Sequence, residues 1–65
     1  MFVPANNLKV GDQVILTRDI AVMKGTFLEN SRMTITAIGP RGPDMVDENG
    51  EELGEVFDPK SYRKI

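Results

Sequence analysis

The 65-residue sequence contains no cysteine, no histidine and no tryptophan, and its aromatic residues are three phenylalanines and one tyrosine. Without cysteine or histidine, these residues cannot form a thiol nucleophile, a Ser-His-Asp triad or a Cys/His zinc site. The lack of cysteine also excludes a disulfide and fits a reducing compartment. We therefore expect a cytoplasmic protein that is not an enzyme and that has no catalytic, cofactor-binding or metal-binding residues.

Long apolar runs are missing as well. No stretch approaches the length of a membrane span, and the first residues lack the basic and apolar regions of a signal peptide. The length fits one domain, residues 1–65, which buries only about 60% of the surface of its unfolded chain. A small closed β-barrel suits such a chain because it leaves few strand edges unpaired.

Charge is unevenly distributed, although the net charge is only −2. Residues 44–58 carry a net charge of −7 without a single base, whereas residues 1–43 carry +2 and residues 59–65 carry +3. Five of the acidic residues in the 44–58 block form what we call the acidic ribbon: Asp47, Glu48, Glu51, Glu52 and Glu55. A block of one sign either attracts a basic partner or only keeps a solvated hairpin soluble.

The acidic ribbon surrounds the strongest turn signal in the sequence, Asn49-Gly50. This dipeptide is typical of a two-residue type I′ hairpin turn, in which both central residues need a positive φ. Met45 and Leu53 should then face the core from the two strands. An EF-hand reading fails, because placing Gly50 at the sixth loop position puts Met45 and Val56 where carboxylates are needed.

Two further strands are predicted from residue composition and alternation. In the first, over residues 13–18, Val14 and Leu16 should point inward and Ile15 outward. In the second, over residues 32–38, one face is predicted to carry Met33, Ile35 and Ala37. Ile38 breaks this alternation, so that either a bulge rotates it inward or it covers the loop side.

The remaining segments are predicted to connect these strands. Residues 1–7 are a lead-in whose Phe2 and Val3 cover one end of the barrel. Residues 19–31 are too apolar for free solution and should fold onto the barrel, with a turn at Lys24-Gly25; a helix over residues 20–29 is the alternative. Residues 39–43 are expected to be a loop because they are rich in glycine and proline.

The end of the chain predicts a short capped turn and a last strand. Asp58 can accept hydrogen bonds from free N–H groups, and Pro59 follows at a position where its missing N–H has no cost. One turn suits a 3₁₀ helix. Residues 62–65 should then form the final strand.

This succession of elements resembles an SH3-like barrel, an all-β fold of five strands with a 3₁₀ turn before the last one. The segment from Gly54 to Tyr62 is similar to the Gly-x-apolar-Pro-x-x-Tyr ending of SH3 domains, with the spacing from Pro59 to Tyr62 kept and one or two extra residues before Pro59. Of the aromatic floor that binds proline-rich helices in SH3 domains, only Pro59 and Tyr62 remain. The resemblance therefore implies the fold and not recognition of PxxP peptides.

A second resemblance covers Val10 to Leu16, which is similar to the opening of prokaryotic SH3-like modules, including the KOW elements of transcription and translation proteins. Those modules continue with a glycine-containing turn, whereas the next glycine here is Gly25. The chain is also similar in style to small accessory proteins of bacteria and their phages.

Two functions remain in view. The first is protein binding through Phe57, Pro59 and Tyr62 with the 19–31 loop, to which Arg18 and Lys24 would contribute; the alternative is that Tyr62 only packs the 3₁₀ turn. The second is binding of nucleic acid, which the net acidity and the acidic ribbon disfavour. Its candidate contacts are the basic residues Arg18, Lys24, Arg32, Arg41, Lys60, Arg63 and Lys64.

Overall fold

The computed structural model describes residues 8–65, and the prediction for Phe2 and Val3 lies outside them. The described residues form seven β-strands and a 3₁₀ helix, so the all-β prediction is confirmed. The strands are β1 Gln13–Leu16, β2 Ile20–Val22, β3 Gly25–Phe27, β4 Arg32–Gly39, β5 Gly42–Val46, β6 Glu52–Leu53 and β7 Tyr62–Lys64. The 3₁₀ helix is Pro59–Ser61 and directly precedes β7, as predicted.

Five strands form one antiparallel sheet in the order β6-β5-β4-β1-β7, and β2 and β3 form a separate hairpin. The last strand therefore returns to lie beside the first, where Leu16 is paired with Tyr62. Within the described residues, β6 and β7 are the two edges of the sheet and do not pair with each other. The sheet is thus open, where the sequence predicted a closed barrel.

The core lies on one face of this sheet. Val14 and Leu16 of β1 are fully buried and Ile15 between them is half-buried, as the alternation predicted. Met45 and Leu53 are paired across β5 and β6, and both are buried, which confirms their predicted role. Among residues 8–65, the buried hydrophobic cluster consists of Leu8, Val14, Leu16, Met33, Ile35, Met45, Leu53, Val56 and Tyr62.

A β-bulge interrupts the pairing of β4 with β5 between Ile35 and Ala37. A bulge was one of the two explanations expected for the break in alternation at Ile38. With this bulge, Ile38 is paired with Pro43, which is buried. Ile38 nevertheless remains 48% exposed because it lies near the end of the strand. Ala37 is exposed, so the prediction that it shares a face with the buried Met33 and Ile35 is wrong: the bulge shifts the alternation before Ala37 is reached.

The Asn49-Gly50 turn differs from the predicted two-residue type I′ turn. Only Gly50 has a positive φ, +85°, and its N–H donates to the Asp47 carbonyl over 3.1 Å. Asp47 N–H donates to the Glu51 carbonyl, so three residues lie between Asp47 and Glu51. This is the three-residue hairpin loop that ends in a left-handed glycine.

The predicted loop over residues 39–43 is shorter in the structure. Only Pro40 and Arg41 connect the strands, since Gly39 pairs with Gly42 and Pro43 pairs with Ile38. Pro43 has no N–H to donate to a neighbouring strand. Its carbonyl nevertheless accepts a hydrogen bond from Val56 N–H, 3.0 Å away.

Residues 19–31 form the β2–β3 hairpin, and the alternative helix is wrong. Ile20 and Phe27 are cross-strand partners and pack against the core, as expected of a folded connection. The other apolar side chains of this segment do not pack against the core. Met23, in the hairpin turn, is fully exposed, and Leu28 is 62% exposed.

We expect Gly42→Ala to lower the free energy of unfolding by about 1–3 kcal/mol or more. A Cβ at Gly42 would lie 2.5 Å from the Val56 carbonyl oxygen, and the φ of +140° is itself unfavourable for alanine. Urea denaturation measures the change. Gly54→Ala is the matched control, because the nearest atom to a Cβ added at Gly54 would be the side-chain oxygen Oδ1 of Asp44, at 3.6 Å. Equal midpoints for the two variants would contradict the prediction.

Candidate functional site

The 3₁₀ helix and the end of β1 are joined by a polar network. Asp58 caps the helix as predicted, and its Oδ1 accepts from Lys60 N–H over 2.9 Å. Arg18 contacts the same corner twice, with Nη2 3.1 Å from Asp58 Oδ2 and Nε 3.0 Å from Ser61 Oγ. Thr17 adds a backbone bond of 2.8 Å to the Ser61 carbonyl. Arg18 is thus engaged in holding this corner together.

Tyr62 is a core residue, only 7% exposed. Burial raises the pKa of its hydroxyl, and the negative charge of Asp58 raises this pKa further. Pro59 and Phe57 are both exposed, and Phe57 retains 79% of its accessible surface. The three residues expected to form one aromatic face are therefore divided between the core and the surface.

The backbone on either side of Glu55 is fixed against β5, so that Phe57 projects from a well-anchored segment. Glu55 has a φ of +49°, which is unusual for a residue other than glycine. Its N–H donates to Asp44 Oδ1 over 2.8 Å, and the next N–H, that of Val56, donates to Pro43. The Val56 side chain is buried directly before Phe57.

A groove of about 490 Å³ lies beside the exposed Phe57 ring. Its lining residues are Arg41, Gly54, Glu55 and Phe57. Arg41 Nη1 is 3.9 Å from Glu55 Oε1, so an exposed ion pair forms one rim. The groove thus combines one aromatic wall with one donor group and one acceptor group.

Aspartates and glutamates have different roles in this protein. All five aspartates accept hydrogen bonds from backbone N–H groups; they are Asp12, Asp19, Asp44, Asp47 and Asp58. Short carboxylate side chains reach nearby backbone donors in turns and caps, whereas glutamate is one methylene too long. In the acidic ribbon, Asp47 therefore stabilises the turn, and Glu48, Glu51 and Glu52 are exposed to solvent.

Lys24 lies at the tip of the β2–β3 hairpin, in the turn between the two strands. It lines a second groove of about 290 Å³ together with Phe27 and Leu28 of the hairpin. The facing wall belongs to the acidic ribbon and contains Asp47 and Glu51. Lys24 and Phe57, predicted as parts of one contact set, therefore line different grooves.

Of the basic residues considered for nucleic-acid binding, three are in ion pairs and two others lie on either side of one strand residue. Arg18 is paired with Asp58, Arg41 is near Glu55, and Lys64 Nζ is 3.4 Å from Asp12 Oδ2. Arg32 and Arg63, which are far apart in sequence, are brought together on either side of Ile15. The sequence could not indicate this pair, because it depends on the register of three strands.

Replacement of Asp47 should be more costly than replacement of its neighbour Glu48. Asp47 Oδ1 accepts from Asn49 N–H and Glu51 N–H, each over 2.9 Å, and Asp47→Ala removes both bonds. We expect a loss of about 1–2 kcal/mol in the free energy of unfolding, against less than about 0.5 kcal/mol for the exposed Glu48→Ala. Thermal and urea unfolding of the two variants check this, and equal losses would show that the turn does not depend on Asp47.

The raised pKa of Tyr62 predicts a loss of stability at alkaline pH. Below about pH 10 the phenol is protonated in both the folded and the unfolded protein. As the pH rises from there through the folded-state pKa, the unfolded chain loses its proton first, which favours unfolding. Tyr62→Phe should lack this part of the decline. Urea midpoints measured from pH 8 upward for both proteins make the comparison, and parallel curves would contradict the prediction.

Among residues 8–65, no group of three or more acidic side chains could hold a metal ion, and no helix has the length and apolarity needed to cross a membrane. Neither protein-family models, nor curated proteins, nor solved structures match this chain. Functional interpretation therefore depends on the geometry of its own residues.

Proposed function

We propose that this chain is a non-enzymatic protein-interaction module with an SH3-like order of strands, in which the sheet of the described residues is not closed into a barrel, and that Phe57 is the centre of its contact surface. The observation that carries the proposal is the 79% exposure of Phe57 on a backbone segment fixed by hydrogen bonds. The proposed compartment is the cytoplasm, which a chain without cysteine fits.

The order of the elements supports the architectural part of the proposal. The chain runs through a strand, a long folded connection, a strand, a short loop, a strand, a tight turn, a strand, a 3₁₀ helix and a last strand. This is the succession on which the SH3-like resemblance depends. The pairing of β7 with β1 also brings the first and last strands of the described chain into one sheet.

The environment of Phe57 supports the choice of surface. Aromatic side chains are enriched in protein interfaces, where they bury a large area at a small cost in conformational entropy. The hydrogen bonds at Glu55 and Val56 order the backbone before binding, which lowers the entropy lost on association. The ion pair of Arg41 with Glu55 supplies polar groups at the edge of the same groove.

The partner proposed is a protein that does not rely on proline-rich recognition. Tyr62, one of the two floor residues left from the SH3 pattern, is buried, and tryptophan is missing from the sequence. Nucleic acid is a weaker candidate, since three of the seven basic residues considered for it are ion-paired: Arg18, Arg41 and Lys64.

Phe57→Ala tests the proposal directly. The protein and the variant are immobilised, exposed to native host lysate, and the captured proteins are identified and quantified by mass spectrometry. We expect any specific partner to bind the variant more than about tenfold more weakly, as for other aromatic hot spots. The fold should survive, because a residue this exposed contributes little to the core.

Met23→Ala is the matched control, since Met23 is also a fully exposed apolar residue but lies in the β2–β3 turn. It should capture the same partner as the unchanged protein. If Phe57→Ala also captures that partner unchanged, the contact surface lies elsewhere and the proposal for Phe57 is wrong. If no protein is enriched over a blank matrix, the interaction function itself is contradicted.

A further inference from the structure

A row of three side chains crosses the outer face of the five-stranded sheet. Ile15 of β1 is directly opposite Arg32 of β4 on one side and Arg63 of β7 on the other. Residues directly opposite each other in antiparallel strands point to the same face. Because the neighbours of Ile15 on β1, Val14 and Leu16, are buried in the core, the row Arg32–Ile15–Arg63 faces away from it.

The two arginines of this row keep their charge available. Neither is ion-paired within the described residues, in contrast to Arg18, Arg41 and Lys64. Thr34 and Gln13, which form the adjoining pair on the same face, are uncharged. The carboxylate in line with that pair is Glu52 of β6, which lies beyond Val46 of β5. Ile15 is half-buried at the centre, directly opposite both arginines in the strand register.

The spacing of the row fits one face of an α-helix. Adjacent strands are about 4.8 Å apart, so the two outer strands of the row are separated by about 10 Å. In an α-helix, residues i and i+7 lie on the same face and are separated by about 10.5 Å along the axis. Residues i+3 and i+4 lie between them on that face. A helix lying across the strands can therefore contact all three side chains.

We propose that the Arg32–Ile15–Arg63 row is a docking surface for an acidic amphipathic helix of a partner protein. In that helix, carboxylates at i and i+7 contact the two guanidinium groups, and an apolar residue at i+3 or i+4 covers Ile15. Guanidinium forks bind carboxylates through paired hydrogen bonds, which fixes the orientation of the helix. This surface belongs to β4, β1 and β7 and is independent of Phe57, which follows β6.

A protein helix fits this surface better than nucleic acid does. The centre of the row is an aliphatic side chain, whereas single-stranded nucleic acids use aromatic side chains on which bases stack. An acidic helix needs only two positive charges at a fixed separation to pair with its two carboxylates, and Arg32 and Arg63 provide them.

The test uses the full chain and a synthetic, alanine-rich helical peptide with a fluorescent label. The peptide carries glutamate at two positions seven residues apart and leucine four residues after the first. A control peptide has the same composition, but its second glutamate is moved two residues toward the first, onto the other face of the helix. Fluorescence anisotropy at low and moderate salt measures binding. We expect the first peptide to bind about tenfold more tightly than the control.

Variants of the row complete the experiment. Arg32→Glu and Arg63→Glu should each weaken binding of the first peptide by about tenfold or more, and Arg63→Lys should weaken it less because it keeps the charge and loses the fork. Lys9→Glu makes the same charge change outside the row and should have a smaller effect. Circular dichroism confirms folding, and Arg63→Gln replaces any charge reversal that fails to fold.

Three results would overturn the proposal. The first is equal affinity for the two peptides, which would mean that only general charge attraction operates. The second is an equal effect of Lys9→Glu and Arg63→Glu. The third is tighter binding of a labelled single-stranded oligonucleotide than of the peptide with the same dependence on Arg32 and Arg63, which would assign the row to nucleic acid.

Discussion

The pairing of β1 on both of its edges is the constraint on which the rest of the structure depends. β1 is hydrogen-bonded to β4 on one side and to β7 on the other, so its alternation decides which residues of three strands face the core. Val14 and Leu16 bring Met33 and Tyr62 with them into the interior. A shift of one residue in either pairing would expose this apolar set, and the core of so short a chain could not withstand that loss.

The turns around this sheet are held mainly by aspartate. Asp12, Asp19, Asp44, Asp47 and Asp58 accept hydrogen bonds from backbone N–H groups that would otherwise lack a partner in the strands. The acidity of the chain therefore has two physical meanings. Aspartates order the connections, whereas the exposed glutamates of the acidic ribbon set the charge of one end of the sheet. A net charge alone conceals this division.

The two proposed surfaces follow from the same packing. The close approach of Gly42 to the Val56 and Phe57 backbone fixes the segment after β6, which leaves Phe57 exposed while Val56 fills the core. In β1, burial of Val14 and Leu16 turns Ile15 outward, between two arginines. In both places an apolar residue faces away from the core because its immediate neighbour is buried in it.

The sequence by itself determined the β class, the inward positions Val14, Leu16, Met45 and Leu53, and the cap at Asp58, because alternation and capping are local properties. It also located the hairpin at Asn49-Gly50, although this turn has one more loop residue than local propensity indicated. Tertiary structure alone decided that Tyr62 is buried and Phe57 exposed, and that the sheet remains open. It also joined Arg32 to Arg63, since strand register is set by packing between segments distant in the chain.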